Sequence, residues 1–153
     1  AGASVRTLDV GGGTQVASRA EQLGCLRGHH VPCVRFESTG SWLLCGYGGG
    51  SLSAWSMAMP AFRASHVTTG FVPQAMLLRP AEVLVVGTKP QLTRYTIALE
   101  EPTHQPLATA SAFCIDASPA SGCIAVCGSG ASLELLSRYM KKIGAAHVVS
   151  EED

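Results

Sequence analysis

Short apolar runs closed by a small residue and a glycine recur along the chain: Leu43-Leu44-Cys45-Gly46, Leu84-Val85-Val86-Gly87 and Ala125-Val126-Cys127-Gly128. Their glycines stand at 46, 87 and 128, so both gaps are 41 residues. Behind each run lies an alternating segment ending on a bulky and then a short polar residue. These are Leu52-Ser53-Ala54-Trp55-Ser56, Leu92-Thr93-Arg94-Tyr95-Thr96 and Leu133-Glu134-Leu135-Leu136-Ser137, with bulky positions 55, 95 and 136. The chain start adds another copy, Val5-Arg6-Thr7-Leu8-Asp9, in which Leu8 lies 47 residues before Trp55. A third kind of segment precedes each glycine-ended run, at 31–37, 72–78 and 112–118, with turn residues such as Ser38-Thr39-Gly40 and Arg79-Pro80 after it. A less regular fourth segment is expected at 61–67, 106–110 and 143–149.

Runs of this length, rich in β-branched residues and punctuated by glycine, read as strands. Four strands per period of about 40–45 residues are the mark of a β-propeller blade. Helical repeats fail, because the one stretch of helix-like composition, 138–143, is only six residues long. The pattern therefore predicts an all-β propeller: 1–19 as the last two strands of one blade, 28–67 as a blade, 71–110 as a degenerate blade and 112–149 as a final blade.

Composition narrows the class. The 153 residues are 46% hydrophobic and 14% charged, against about 25% charged in ordinary soluble domains, which excludes intrinsic disorder. Eleven basic residues balance eleven acidic ones, so no overall field draws in nucleic acid or an anionic membrane. The apolar runs are too short to span a bilayer, and the chain does not open on a basic segment followed by an apolar one. Six cysteines, at 25, 33, 45, 114, 123 and 127, form no C-x-x-C pair; they read as buried or idle thiols of a reducing compartment. About three and a half blades fall short of the roughly four to eight of a closed ring. The expectation is that 1–153 is the C-terminal part of one seven-bladed propeller, in a chain about twice as long. Expressed alone, it is expected to be insoluble or to depend on another chain.

Two resemblances rest on particular residues. Val5-Arg6-Thr7-Leu8-Asp9 resembles the V-x-x-W-D ending of WD repeats, and Gly28-His29 ahead of Val31, Val34 and Phe36, with Trp55 closing the unit, looks like one such repeat. Ser56 stands where that motif has aspartate. More narrowly, the run Trp42-Leu43-Leu44-Cys45-Gly46-Tyr47-Gly48-Gly49-Gly50-Ser51-Leu52-Ser53-Ala54-Trp55 resembles a stretch in the C-terminal half of the THO complex subunit 6 family. That resemblance implies a non-enzymatic WD-repeat scaffold in the nuclear assembly that supports mRNA processing and export. Its partners would be other protein subunits, those of the THO complex, with any RNA contact indirect. It implies no cofactor, no small-molecule substrate and no membrane association.

Motifs for chemistry are sparse. The glycines of 46–50 and 128–130 lack the lysine and the following helix that a phosphate loop needs. Cys123 and Cys127, four apart, would sit about 13 Å from one another on a strand, too far for one zinc ion. Cys127 aligns with Val86 and Cys45 and reads as a buried small hydrophobe. There is no G-x-S-x-G elbow, and histidines 29, 30, 66, 104 and 147 are scattered. The first strands carry Val34, Ala75 and Ile115 where a propeller enzyme would point polar groups into its channel. No catalytic, metal or cofactor residue is assigned. The candidate partner-binding residues are Arg138, Tyr139, Lys141 and Lys142, a cation-plus-aromatic cluster suited to an acidic partner or RNA phosphate. The extra residues around 20–25 form a second candidate contact loop. A different WD adaptor, such as a ubiquitin-ligase substrate receptor, shares the fold; its D-x-R box is missing, since Asp9 is followed by Val10-Gly11. An enzyme or ligand-binding propeller is the third alternative.

Overall fold

A computed structural model describes residues 30–57 and 64–147. The expected half-blade at 1–19, the Gly28-His29 pair and the 20–25 loop lie outside the described residues. Within them run β1 (Cys33–Phe36), β2 (Trp42–Tyr47), β3 (Ser51–Ser56), β4 (Ala64–Thr68), β5 (Pro73–Arg79), β6 (Glu82–Gly87), β7 (Gln91–Thr96), β8 (Thr103–Pro106), β9 (Ala112–Ala117), β10 (Ile124–Gly128), β11 (Ser132–Leu136) and β12 (Lys142–His147). They form three four-stranded antiparallel meanders, β1 to β4, β5 to β8 and β9 to β12. No helix occurs among the described residues.

The sheets stack in chain order. The first strand of the middle sheet, β5, lies against both β1 and β9, so the first strands are innermost. Strand alternation then sends side chains to two separate cores. Val83, Val85 and Tyr95 of the middle sheet meet Leu44, Leu52 and Ala54 of the first. On the opposite face Leu84, Val86 and Leu92 meet Ile115, Ile124, Val126 and Leu136 of the third. Burying each such large side chain contributes about 1.5–3 kcal/mol, which explains why β6 reads as an unbroken apolar run.

A recurring backbone bond locks each innermost strand at one rim. Gly48 N–H donates to the His30 carbonyl (2.8 Å), Thr88 to Val72 (3.1 Å) and Ser129 to Ser111 (2.8 Å). These bonds and the strand register make the true offset 40 residues from the first sheet to the second and 41 from the second to the third. Gly46 is therefore not the equivalent of Gly87 and Gly128; Tyr47 is. Gly87 and Gly128 are glycines because a Cβ would stand 1.9 Å from the Val72 carbonyl oxygen and 1.8 Å from that of Ser111. Gly46 meets a different obstacle, Cys33 Sγ at 2.7 Å and Pro73 Cβ at 2.9 Å, where the first sheet touches the second.

The fourth strand of the middle sheet also differs from the sequence reading. It spans Thr103–Pro106 instead of 106–110, because the turn before it is tight: Leu99 and Glu101 take positive φ (65° and 52°) and Thr96 N–H bonds the Glu100 carbonyl. Residues 107–109 instead turn into the seam with the third sheet. Leu107 is buried there, and the Ala108 and Thr109 amides both donate to Glu134 Oε1.

The β1–β2 turn carries an exposed acid with a testable signature. The hydroxyls of Thr39 and Ser38 donate to the Glu37 carboxylate and hold its pKa below the ordinary value, Thr39 contributing most. A lowered folded-state pKa supplies stability above the unfolded value and loses it as pH falls through the folded one. In a carboxyl NMR titration, Thr39→Val is expected to raise the Glu37 midpoint toward the usual glutamate range; an unmoved midpoint contradicts this assignment.

Candidate functional site

One rim of the second and third sheets carries a cleft built from three turns. Arg79 and Glu82 flank the two-residue β5–β6 turn and face one another as register partners. Pro80 fixes the backbone there, and Arg79 Nη1 lies 3.1 Å from Glu82 Oε1. The Arg79 guanidinium then crosses the seam. Its Nη1 donates to the Arg138 carbonyl (2.7 Å) and its Nη2 to that of Gly122 (3.2 Å). Arg94, projecting from β7 on the same face, sets Nη1 3.6 Å from Glu82 Oε2 and donates from Nε to Thr103 Oγ1.

From the third sheet comes the β11–β12 turn. Ser137 N–H bonds the Lys141 carbonyl (2.7 Å), Met140 N–H bonds Ser137, and Met140 adopts φ 64°. This hairpin sends Met140 into the seam core and leaves Tyr139 73% exposed. The Arg138 guanidinium lies 5.3 Å from the Tyr139 ring centroid, a cation–π distance. The resulting cleft has a volume of about 610 Å³, with Arg79, Glu82 and Arg94 on one wall and Arg138, Tyr139 and Met140 on the other. Three guanidiniums surround a single carboxylate, leaving a surplus of two positive charges. Such a surface suits carboxylates or phosphates, which guanidinium binds in bidentate fashion.

The structure divides the cluster that the sequence offered as one. Arg138 and Tyr139 line the cleft. Lys141 is tied through its backbone to Ser137. Lys142, the first residue of β12, turns its Nζ to Glu134 Oε2 at 3.4 Å, toward the seam core. Sequence reasoning missed Arg79, Glu82 and Arg94, which sit about forty to sixty residues upstream of the hairpin. Its only hint was the alignment of the Arg79-Pro80 turn with the later turn at 119–122.

Two histidines also fall into order. Ser53 Oγ and His66 Nδ1 are 3.0 Å apart across β3 and β4, and Thr93 Oγ1 and His104 Nδ1 are 3.1 Å apart across β7 and β8. Both are cross-strand partners at equivalent positions, and both hydroxyls are buried. Glu134 occupies the matching position of the third sheet. Among the described residues, no group of three or more histidine, cysteine or acidic side chains is placed to hold a metal ion.

No known protein family matches the chain, and no curated protein matches it. Solved structures do. BamB from Moraxella catarrhalis is 14% identical with a TM-score of 0.62, over 78% of this chain and 38% of that one. The BBS1 N-terminal domain crystallised in complex with ARL6 is 15% identical with a TM-score of 0.61, over 80% of this chain and 41% of that one. Both are β-propellers, and the three meanders are propeller blades. The chain spans about two fifths of the length of the solved structures it matches.

Proposed function

We propose that this chain belongs to a non-enzymatic β-propeller scaffold of WD-repeat type, and that the arginine-lined rim cleft receives an acidic segment of a partner protein. The observation that carries the reading is the surplus of guanidinium groups beside an exposed tyrosine, at a seam between two blades. A propeller neighbour solved with a partner protein bound supports a binding role for the fold. The glycine-rich run 42–55, which forms the β2–β3 hairpin, favours the THO complex and nuclear mRNA processing and export as the setting, with RNA contact indirect.

Two side chains test the cleft without disturbing its frame. The Arg138 guanidinium and the Tyr139 ring engage one another, while it is the Arg138 backbone that holds Arg79. Arg138→Glu combined with Tyr139→Ala is expected to weaken binding of the acidic partner at least about tenfold, or about 1.4 kcal/mol, with the melting temperature unchanged. The wild-type affinity should also fall as salt rises. Affinity purification of the full-length protein from cells tests the setting: recovery of THO subunits is expected, and recovery of a ubiquitin ligase or of no THO subunit rejects it. An affinity indifferent to both the double substitution and salt rejects the cleft.

A further inference from the structure

Cys114 on β9 and Cys127 on β10 are directly opposed partners in the antiparallel ladder, at the last step before the register shifts between Cys127 and Gly128. Both are free and exposed. Opposed residues point to the same face of a sheet, with Cα atoms about 4.5–5.5 Å apart. That separation falls inside the span of about 4.4–6.8 Å over which a disulfide closes. We propose that Cys114 and Cys127 form a peroxide-responsive dithiol that closes reversibly into an intramolecular disulfide.

The chemistry balances with hydrogen peroxide as the oxidant. The thiolate of one cysteine attacks a peroxide oxygen, the O–O bond breaks, and a sulfenic acid forms with release of hydroxide. The second thiolate attacks that sulfur, an S–S bond forms and the S–O bond breaks, releasing a second hydroxide. The two sulfurs together give up two electrons, and the two thiol protons convert the hydroxides to two water molecules. A thiol reductant reverses the bond by exchange.

Geometry sets this pair apart from the other described cysteines. Cys33 and Cys45 lie on paired strands, but Cys33 opposes Gly46 and Cys45 opposes Val34. Their side chains therefore leave opposite faces of the sheet. The Cys33 thiol is also engaged with the Pro73 carbonyl at 3.7 Å, and burial pushes it up to about 11. Cys123 lies just before β10, four residues from Cys127. Cys114 and Cys127, by contrast, are direct partners whose side chains leave the same face of their sheet.

The sequence alignment had placed Cys127 among buried hydrophobes, and its structural equivalent Val86 is indeed fully buried. Val86 faces the third sheet. Cys127 lies on that third sheet's far face, beside the exposed Leu133 and Leu135, with no further described sheet against it.

The test uses the full chain, reduced, desalted and exposed to one equivalent of hydrogen peroxide, then alkylated and mapped by mass spectrometry without reduction. The expected product is a Cys114–Cys127 linked peptide, a mass loss of 2 Da, and recovery of both thiols on adding dithiothreitol. Cys114→Ser or Cys127→Ser should each abolish the linkage, whereas Cys45→Ser should leave it. A preferred linkage between other cysteines, sulfinic acid at either position without linkage, or two thiols that stay reduced overturns the proposal.

Discussion

Glu134→Ala is expected to destabilise the protein by about 2–4 kcal/mol, because one buried and one part-buried backbone donor lose their shared acceptor. Glu134 is 1% exposed. Its Oε1 accepts the Ala108 and Thr109 amides at 2.7 and 3.0 Å, and its Oε2 stands 3.4 Å from Lys142 Nζ as an ion pair. Truncation leaves two backbone donors at the seam without an acceptor, each costing about 1–3 kcal/mol. The loss of Lys142 as a partner matters less, because that side chain is half in solvent. Glu134→Gln keeps an acceptor oxygen in the same place and should cost less than half as much. Denaturant melts measure the totals. Amide exchange at residues 108 and 109 locates them: unchanged protection there in the alanine variant contradicts the staple.

Gly128→Ala should be at least as damaging, for a different reason. The new Cβ would lie 1.8 Å from the Ser111 carbonyl oxygen and 2.7 Å from the Ala112 Cα, both backbone atoms of the innermost strand's approach. No rotamer change relieves such a clash, so the clamp from Ser129 to Ser111 must open. Ser111 also anchors the neighbouring blade, its hydroxyl lying 3.2 Å from both the Gly87 carbonyl and Gln74 Oε1. We expect a loss of about 3–5 kcal/mol, above the common range of about 1–3 kcal/mol for overpacking because the obstacle is main chain. Gly144→Ala is the control. Nothing lies within 4 Å of its Cβ position, and its stability should stay within about 0.5 kcal/mol of wild type. Equal melting of the two variants would refute the steric account.

Much of this architecture was legible in the sequence because a blade repeats both its hydrophobic alternation and its turns. The apolar run of β6 reports burial on both faces, and the glycines at 87 and 128 report a close backbone approach shared by the second and third blades. Gly46 misled for the same reason: it keeps the spacing of 41 but answers to Pro73 of the next sheet, a contact that spacing does not encode. The fourth strand of the middle sheet was misplaced because a carboxylate 25 residues away claims the amides after it. Cys127 was read as buried by its alignment with Val86, yet among the described residues it is exposed, because no described sheet packs on that face of the third sheet. The rim cleft was half legible. Arg138 and Tyr139 stood together in the chain, whereas Arg79 and Arg94 joined them only through the stacking of two sheets, and that same stacking drew Lys142 away.

The cleft has walls on separate blades, and Arg79 bridges them. A molecule seated there touches both sheets at once, so its binding energy is shared with the adhesion between them. By linkage, a partner present at about 100 times its dissociation constant adds about 2.7 kcal/mol to the state in which the seam is closed. The same coupling runs in reverse: a substitution that opens the seam, such as loss of the Glu134 staple, lowers the affinity of a molecule seated at the rim. Recognition and cohesion are one equilibrium at this junction.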